Sequence, residues 1–367
     1  MKLTDDLPEI YASILPEVFD EQPPRESLAT CGNCAMVCSG PGVSSKRFSP
    51  GTKCCTYYPS LPNFLVGSVL ASPSGAAEGR TRIASLIAKR NGVSPVGVFP
   101  PRSYHALYQR GHELGFGNAR SLTCPFYEEA GGLCSIWRHR EAVCSTYFCK
   151  SVGGKTGKAY WEAVKAYLLH AQRSLVIYSM HNLKVENSAS LIEEFMASAY
   201  VNGKLTAEDL DGSVSDESWR KRWGSWVGKE EEYFVRCYQV VKDLERPQFV
   251  DMVGVEHNHR SARIEEESAR LRAMPTILLR ASTRYEPTPD NANYVIRINH
   301  ADIAISVPMS VLDAFDGRRT TDEIAADLER DEGMVLDRDL IFLLWHNKSL
   351  VPRPPVPASD VFQRPIA

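Results

Sequence analysis

The sequence has no apolar run approaching the ~18–20 residues that span a bilayer, no long repeat and no low-complexity tract. A membrane-spanning class is therefore not expected. It has no excess of either charge. Its 42 basic and 45 acidic side chains leave a net charge of −3 and a pI near 6.3. No global field draws such a chain to nucleic acid or to an anionic membrane. A secretory leader is missing as well, because Lys2, Asp5, Asp6 and Pro8 stand where a leader needs an apolar core. The expected location is the cytoplasm. The apolar fraction of 43% is that of a globular protein.

Complete nucleotide motifs are also lacking. The stretch from Gly153 to Lys158 fails the spacing of a phosphate loop, and Ala159 stands where a Mg²⁺-binding hydroxyl belongs. It reads as a basic lead-in to a helix. Gly115-Phe116-Gly117 is too short for a dinucleotide fingerprint. What the sequence does have is cysteine. Nine of its ten cysteines lie between residues 31 and 149, and only Cys237 lies outside. In a reducing compartment such clustering points to metal rather than to disulfides.

The first group is Cys31, Cys34 and Cys38, followed after 15 residues by Cys54 and Cys55. The second is Cys124, Cys134, Cys144 and Cys149. Thiolates two or three residues apart reach one metal without a long loop closure. Soft thiolates suit iron–sulfur clusters, Cu(I) and zinc. Neither group is a tidy four-ligand run, so ligands from both can share sites. Adjacent side chains diverge, so Cys54 and Cys55 are expected to serve two different sites. Arg138 and Arg140 lie inside the second group and can donate to cluster sulfurs, tuning the cofactor from a second layer. His139 between them is expected in solvent or on a cluster thiolate. Cys237 falls on the apolar stripe of a helix, where a small buried hydrophobe is expected.

The chain divides by composition into an irregular acidic segment 1–30, a cysteine-rich module 31–155, a helical region 156–275, a small domain 276–352 and a loose tail 353–367. Residues 31–60 hold few large apolar side chains and need a cross-link or metal to be ordered. Residues 80–90 read as a basic amphipathic helix. From Lys158 the period becomes 3.6, with Trp161, Val164, Leu168, Leu175 and Tyr178 near one stripe. Leu191 to Ala199 form a second helix, and Phe234, Cys237, Tyr238, Val241 and Leu244 mark a third. A fourth precedes Pro275. Trp219, Trp223 and Trp226 fit a packed helical stripe, Glu230 to Glu232 a solvated helix start, and His257-x-His259 a polar loop.

Beyond residue 290, Tyr294–Ile298 and Ile303–Ser306 predict a hairpin around Asn299-His300. Three helices follow, begun by Pro308, by Thr320 or Thr321, and by Asp337 or Asp339. Leu350-Val351 adds an edge strand. The fold expected is mainly α with a cysteine-rich metal-bound module and a C-terminal winged-helix-like α+β domain.

Two resemblances sharpen this. Cys124-Pro-Phe-Tyr, then Gly132-Leu-Cys134-Ser-Ile136, Arg140, Cys144 and Tyr147, with the upstream Cys31-x2-Cys34 and the Cys54-Cys55 pair, resembles the YkgJ-like zinc- or iron-chelating cysteine-cluster proteins. The departures are the 15-residue gap before Cys54, Glu141 in place of a proline after Arg140, and Ser145 in place of an arginine after Cys144. That family includes flagellin lysine-N-methylases. The resemblance implies a metal, foremost iron–sulfur or iron, held by Cys31, Cys34, Cys38, Cys54, Cys55, Cys124, Cys134, Cys144 and Cys149. The stretch Val311–Glu329, with Leu340–Trp345 and Leu350-Val351, is similar to PqqD-like domains, which recognise precursor peptides by adding them as a strand to an open sheet edge. This implies a precursor peptide or protein substrate as partner. Asp322, Glu323, Asp327, Glu329, Asp331 and Glu332 argue against nucleic acid there. The reading is a cysteine-ligated metalloprotein that takes part in modifying a peptide or protein, an enzyme in the leading version. The alternative is a zinc-stapled adaptor or metal carrier without catalysis.

Overall fold

A computed structural model of the chain describes residues 2–23, 31, 32, 34, 36, 37, 48–72, 76–149, 151, 153–197, 204–212, 214–272, 279–282, 285–298 and 303–353. Cys38, the Asn299-His300 turn, Gly203, Pro275 and the tail from 354 lie outside these residues. The chain is mainly helical and forms two compact units, Met1–Cys149 with Ala159–Glu267, and Lys150–Lys158 with Ser268–Ala367. The cysteine-rich module and the helical region that follows it thus belong to one unit. Among the described residues no helix is long and apolar enough to cross a membrane.

The first unit opens with three short 3₁₀ turns at Leu3–Asp6, Glu9–Tyr11 and Glu17–Asp20. The described part of the N-terminal segment read as irregular, residues 2–23, thus carries local structure and buries Leu3, Tyr11, Ile14, Leu15 and Phe19. Then come β1 (Leu61–Pro62), α1 (Asn63–Ala71), α2 (Ala77–Ala88), β2 (Val93–Ser94), β3 (Gly97–Val98), α3 (Arg102–Gly115), β4 (Tyr127–Glu128), β5 (Leu133–Cys134) and α4 (Ala142–Thr146). A long helix α5 (Gly154–Asn182) follows, then α6 (Ser188–Ala197), α7 (Ala207–Asp211), α8 (Asp216–Trp223), α9 (Glu230–Lys242), α10 (Arg246–Val253) and α11 (Val255–Arg272). The sheets are minimal. The antiparallel order β1-β3-β2 closes one, and β4-β5 is a separate hairpin.

The apolar run from Leu61 becomes α1 because it is buried on nearly every side. It lies against α9. A Cβ on Gly67 would stand 1.8 Å from the Phe234 carbonyl oxygen, so only glycine lets the two backbones approach this closely. Asn63, fully buried at the start of α1, spends its amide on the core. It donates to Pro95 O (3.1 Å) and accepts from Phe64 N (2.7 Å) and Ser179 Oγ (3.1 Å). Tyr233 on α9 donates to the same Pro95 carbonyl at 2.8 Å. The expected stripes of α5 and α9 are buried at Trp161, Val164, Leu168, Leu175, Phe234, Cys237 and Val241. Each such large side chain contributes about 1.5–3 kcal/mol of burial. Cys237 is wholly buried, as its place on the stripe demands.

Three local expectations are corrected. Glu230 is not a solvated helix start; it is buried and accepts from Trp219 Nε1 and Gly228 N, both at 2.9 Å. His257 and His259 lie within α11 rather than in a loop, and His257 Nδ1 is bonded to Tyr167 OH at 2.9 Å. The stretch 154–158 is already the first turn of α5.

The second unit holds β6 (Leu279–Ala281), β7 (Glu286–Pro287), β8 (Asn293–Ile298), β9 (Ile303–Pro308), α12 (Met309–Asp313), α13 (Thr321–Glu332), α14 (Arg338–His346) and β10 (Leu350–Pro352). The hairpin pairs Ile296 with Ile305 and Ile298 with Ile303. Period-2 alternation thereby turns Ile296, Ile298 and Val307 inward. Pro308 precedes α12 as expected. Thr320 and Glu323 form a reciprocal capping box, and Asp337 caps α14 through the Asp339 amide. The strand at Leu350 pairs with β6, not with the hairpin. The acidic face of α13 is partly neutralised, since Arg319 and Arg330 both reach Asp327 at 2.7 Å.

Candidate metal centre

The scaffold brings the two cysteine groups to one place. Cys31, Cys34, Cys54, Cys55, Cys124, Cys134, Cys144 and Cys149 all line a single cavity of about 720 Å³, whose walls come entirely from residues 31–149. Cys31, Cys54, Cys55, Cys124, Cys134 and Cys144 are thiols, not disulfide halves. The ninth expected ligand, Cys38, is outside the described residues.

Each thiol is set by local chemistry. The turn carrying Cys54 and Cys55 is gripped at Gly117. Ser49 N and Thr52 Oγ1 both donate to Gly117 O at 2.8 Å, and Gly117 N donates to Thr56 Oγ1 at 2.6 Å. Gly117 has φ +80°, and a Cβ there would stand 2.0 Å from the Phe48 ring. This explains Gly117 where no nucleotide motif did. Lys53, itself at φ +49°, donates to Cys31 O (2.9 Å) and Gly132 O (2.7 Å), tying the first group to the hairpin of the second. Cys124 N donates to Cys55 O at 2.8 Å. Cys134 ends β5, opposite Tyr127. Cys144 sits in α4, whose start is held by Gln172 of α5. That amide accepts from Ala142 N (3.4 Å) and donates to Tyr11 OH (2.9 Å).

Cys54 and Cys55, expected to serve two different sites, both line this cavity. The neighbouring Cys55 thiol, with burial, holds the Cys54 thiol far above its ordinary range. Burial also raises Cys31, Cys34 and Cys134, and pushes Cys124 up to about 12. Against it, backbone amides reach three of the sulfurs: Met36 and Val37 on Cys34, Phe126 on Cys124 (3.4 Å) and Ile136 on Cys134. An amide two or three residues on favours the thiolate, which is the form that binds metal.

Arg140 and Glu141 are the charged pair of the site. The Arg140 guanidinium lies over the Trp137 ring (3.4 Å to its centroid) and donates to Trp137 O (2.9 Å) and Cys144 O (3.0 Å). Burial lowers its pKa, while neighbouring Cys144, Cys134 and Cys31 oppose that shift. Of the two arginines expected near the thiols, Arg140 lines the cavity, whereas Arg138 is exposed and is not among its lining residues. His139 is half-buried, and its Nδ1 is bonded to Ser68 Oγ at 2.9 Å. Glu141, which sequence reasoning registered only as a departure, is 2% exposed. Its two oxygens accept from Val143 N (2.6 Å) and Cys144 N (2.8 Å), capping α4. Burial raises its carboxyl, and burial and this carboxyl together raise Cys144. Glutamate is not among the preferred N-cap residues, so this cap left no signal in the sequence.

Thiols are the donors that a soft metal prefers. The thiols share the cavity without converging: among the described residues no three His, Cys, Asp or Glu side chains surround a common point closely enough to hold an ion. Compared with known proteins, the chain matches no family model, no curated protein and no solved structure.

Proposed function

We propose that this chain is a cytoplasmic cysteine-ligated metalloprotein, iron–sulfur or iron, that takes part in modifying a peptide or protein. The observation that carries the reading is the gathering of eight thiols into one cavity, with amides on three sulfurs and a single guanidinium among them. The cysteines from both groups would hold the metal, which supplies redox or Lewis-acid chemistry when bound. Ligation at metal–sulfur distances of about 2.3 Å requires the thiols to draw together. Lys53 links the turn at Cys54-Cys55 to Cys31 and to the hairpin that carries Cys134. Arg140 offsets thiolate charge and holds the Cys144 carbonyl. Glu141 orients α4 and with it Cys144. The resemblance to the YkgJ-like proteins supports the metal.

The second unit supplies the peptide part of the reading. Its β7-β8-β9 sheet leaves β9 as an edge strand among the described residues. Such an edge accepts an extended peptide by backbone pairing. The similarity to PqqD-like domains supports this.

The test is iron, zinc and acid-labile sulfide content with an absorption spectrum, on protein purified without oxygen and without added metal. Iron with sulfide and a brown colour are expected. Colourless protein with tightly held zinc, and no iron uptake on reconstitution, overturns the redox reading and leaves the zinc-stapled adaptor.

A further inference from the structure

The cavity around the thiols is larger and less polar than a metal needs. Its volume of about 720 Å³ lies in the range of pockets that bury an organic ligand, roughly 300–1,000 Å³. The wall that is not cysteine is aromatic. Tyr57 meets Tyr108 edge to face (centroids 6.2 Å apart), and Phe116 meets Phe48 (5.5 Å) and Tyr147 (5.9 Å) in the same way. The charged side chains of the lining are turned to the protein. Lys53 is spent on two carbonyls, Arg140 on two more, and Glu141 on two amides. Glu113, the remaining charge, is exposed.

The rim continues this apolar surface into solvent. Leu114 is 89% exposed, Trp137 47%, Tyr147 46% and Leu133 46%, yet all four line the cavity. Large exposed apolar groups clustered at a pocket mouth mark an interaction site. A small free molecule seated inside would leave them in water, whereas a polypeptide passing over the mouth covers them.

We propose that the cavity receives an uncharged aromatic side chain of a polypeptide, stacked edge to face on Tyr57, Tyr108 and Phe116, with neighbouring residues of that polypeptide lying on Leu114, Leu133 and Trp137. The inference names the substrate of the same cavity and rests on the reading that the cavity is the working site.

The experiment uses the full chain as purified, its metal content recorded on the same sample, so that failure of a peptide to bind is not confused with absence of metal. The neutral fluorophore N-phenyl-1-naphthylamine is bound, then displaced by the capped pentapeptide Gly-Gly-Phe-Gly-Gly, by its Ala and Glu counterparts, and by N-acetyl-phenylalanine amide. The Phe pentapeptide is expected to displace the probe at a concentration at least tenfold below the other three. L114S, at an exposed position, is expected to remove most of the advantage of the pentapeptide over the single residue, each compared with the variant's own probe affinity. Equal potency of the Phe and Ala pentapeptides overturns the aromatic site. Equal potency of the single residue and the pentapeptide overturns the polypeptide and leaves a site for small aromatic compounds.

Discussion

Glu141 caps the short helix α4, its carboxylate taking the Val143 and Cys144 amides. Glu141→Ala is expected to cost about 1–2 kcal/mol through the lost cap, lowering Tm by roughly 2–8 °C in thermal denaturation. Metal content per chain is expected to fall with it, and Glu141→Gln, which keeps an acceptor, to recover much of both. Gly117 is as constrained from another direction. Gly117→Ala forces a methyl group into the Phe48 ring at a left-handed backbone position. A loss of about 2–4 kcal/mol is expected, from left-handed strain plus overpacking, measured by urea unfolding. These residues show what was and was not legible. Cysteine identity and spacing pointed to one cysteine-rich module, and its described cysteines line one cavity. They were silent on Glu141, Thr52, Thr56 and Gly117, because a cap or a clamp is defined by what lies opposite it. The Cys54-Cys55 pair shows the limit of such reading: it lies in a turn rather than a strand, and both thiols line one cavity.

Among elements, those governed by local chemistry were the readable ones. The hairpin of β8 and β9 and the starts of α12, α13 and α14 follow from alternation, Pro308, the Thr320–Glu323 box and Asp337, all within a few residues. The pairing of β10 with β6 joins residues about seventy apart and left no local trace. The N-terminal segment was opaque because 3₁₀ turns have no amphipathic period, although its apolar residues fill the core. Its end is tied down by Asp20, which binds Lys2 (3.1 Å) and Arg246 (3.2 Å). Slight burial raises the Asp20 carboxyl, but the hydrogen bonds from Lys2 and Arg246 outweigh it and leave the pKa below the ordinary 3.8. A depressed carboxyl stabilises above the unfolded value and stops doing so as pH falls through the folded one. The Tm gap between wild type and Asp20→Asn is therefore expected to hold from neutral pH to about 5 and to close below about 4. It is small, no more than about 1 kcal/mol for so exposed a pair. Where α1 crosses α9, Gly67→Ala drives a methyl group into the Phe234 carbonyl. It is expected to cost about 3 kcal/mol or more in chemical denaturation.

At the scale of the molecule, the cavity walls belong to residues 31–149, but the core behind them is shared with α5 and α9. Metal binding is therefore expected to stabilise the whole first unit, not the cysteine segment alone. Metal at a thousandfold excess over its Kd adds about 4 kcal/mol, and a chelator should return the transition of that unit to its metal-free position in calorimetry. The interleaving of the units has a consequence for synthesis. The chain leaves the first unit after Cys149, spends nine residues in the second, and does not return to it until Ser268. Gly153 meets Leu271, and Gly154 lies beside His346. On the ribosome the start of α5 waits roughly 120 residues for Leu271 and roughly 190 for His346, about 6–40 s at ordinary elongation rates. The nine clustered cysteines are all out before that wait begins. Translation thus sets an order of events, in which the thiols are available to metal or oxidant while the end of the adjoining helix still lacks its partners.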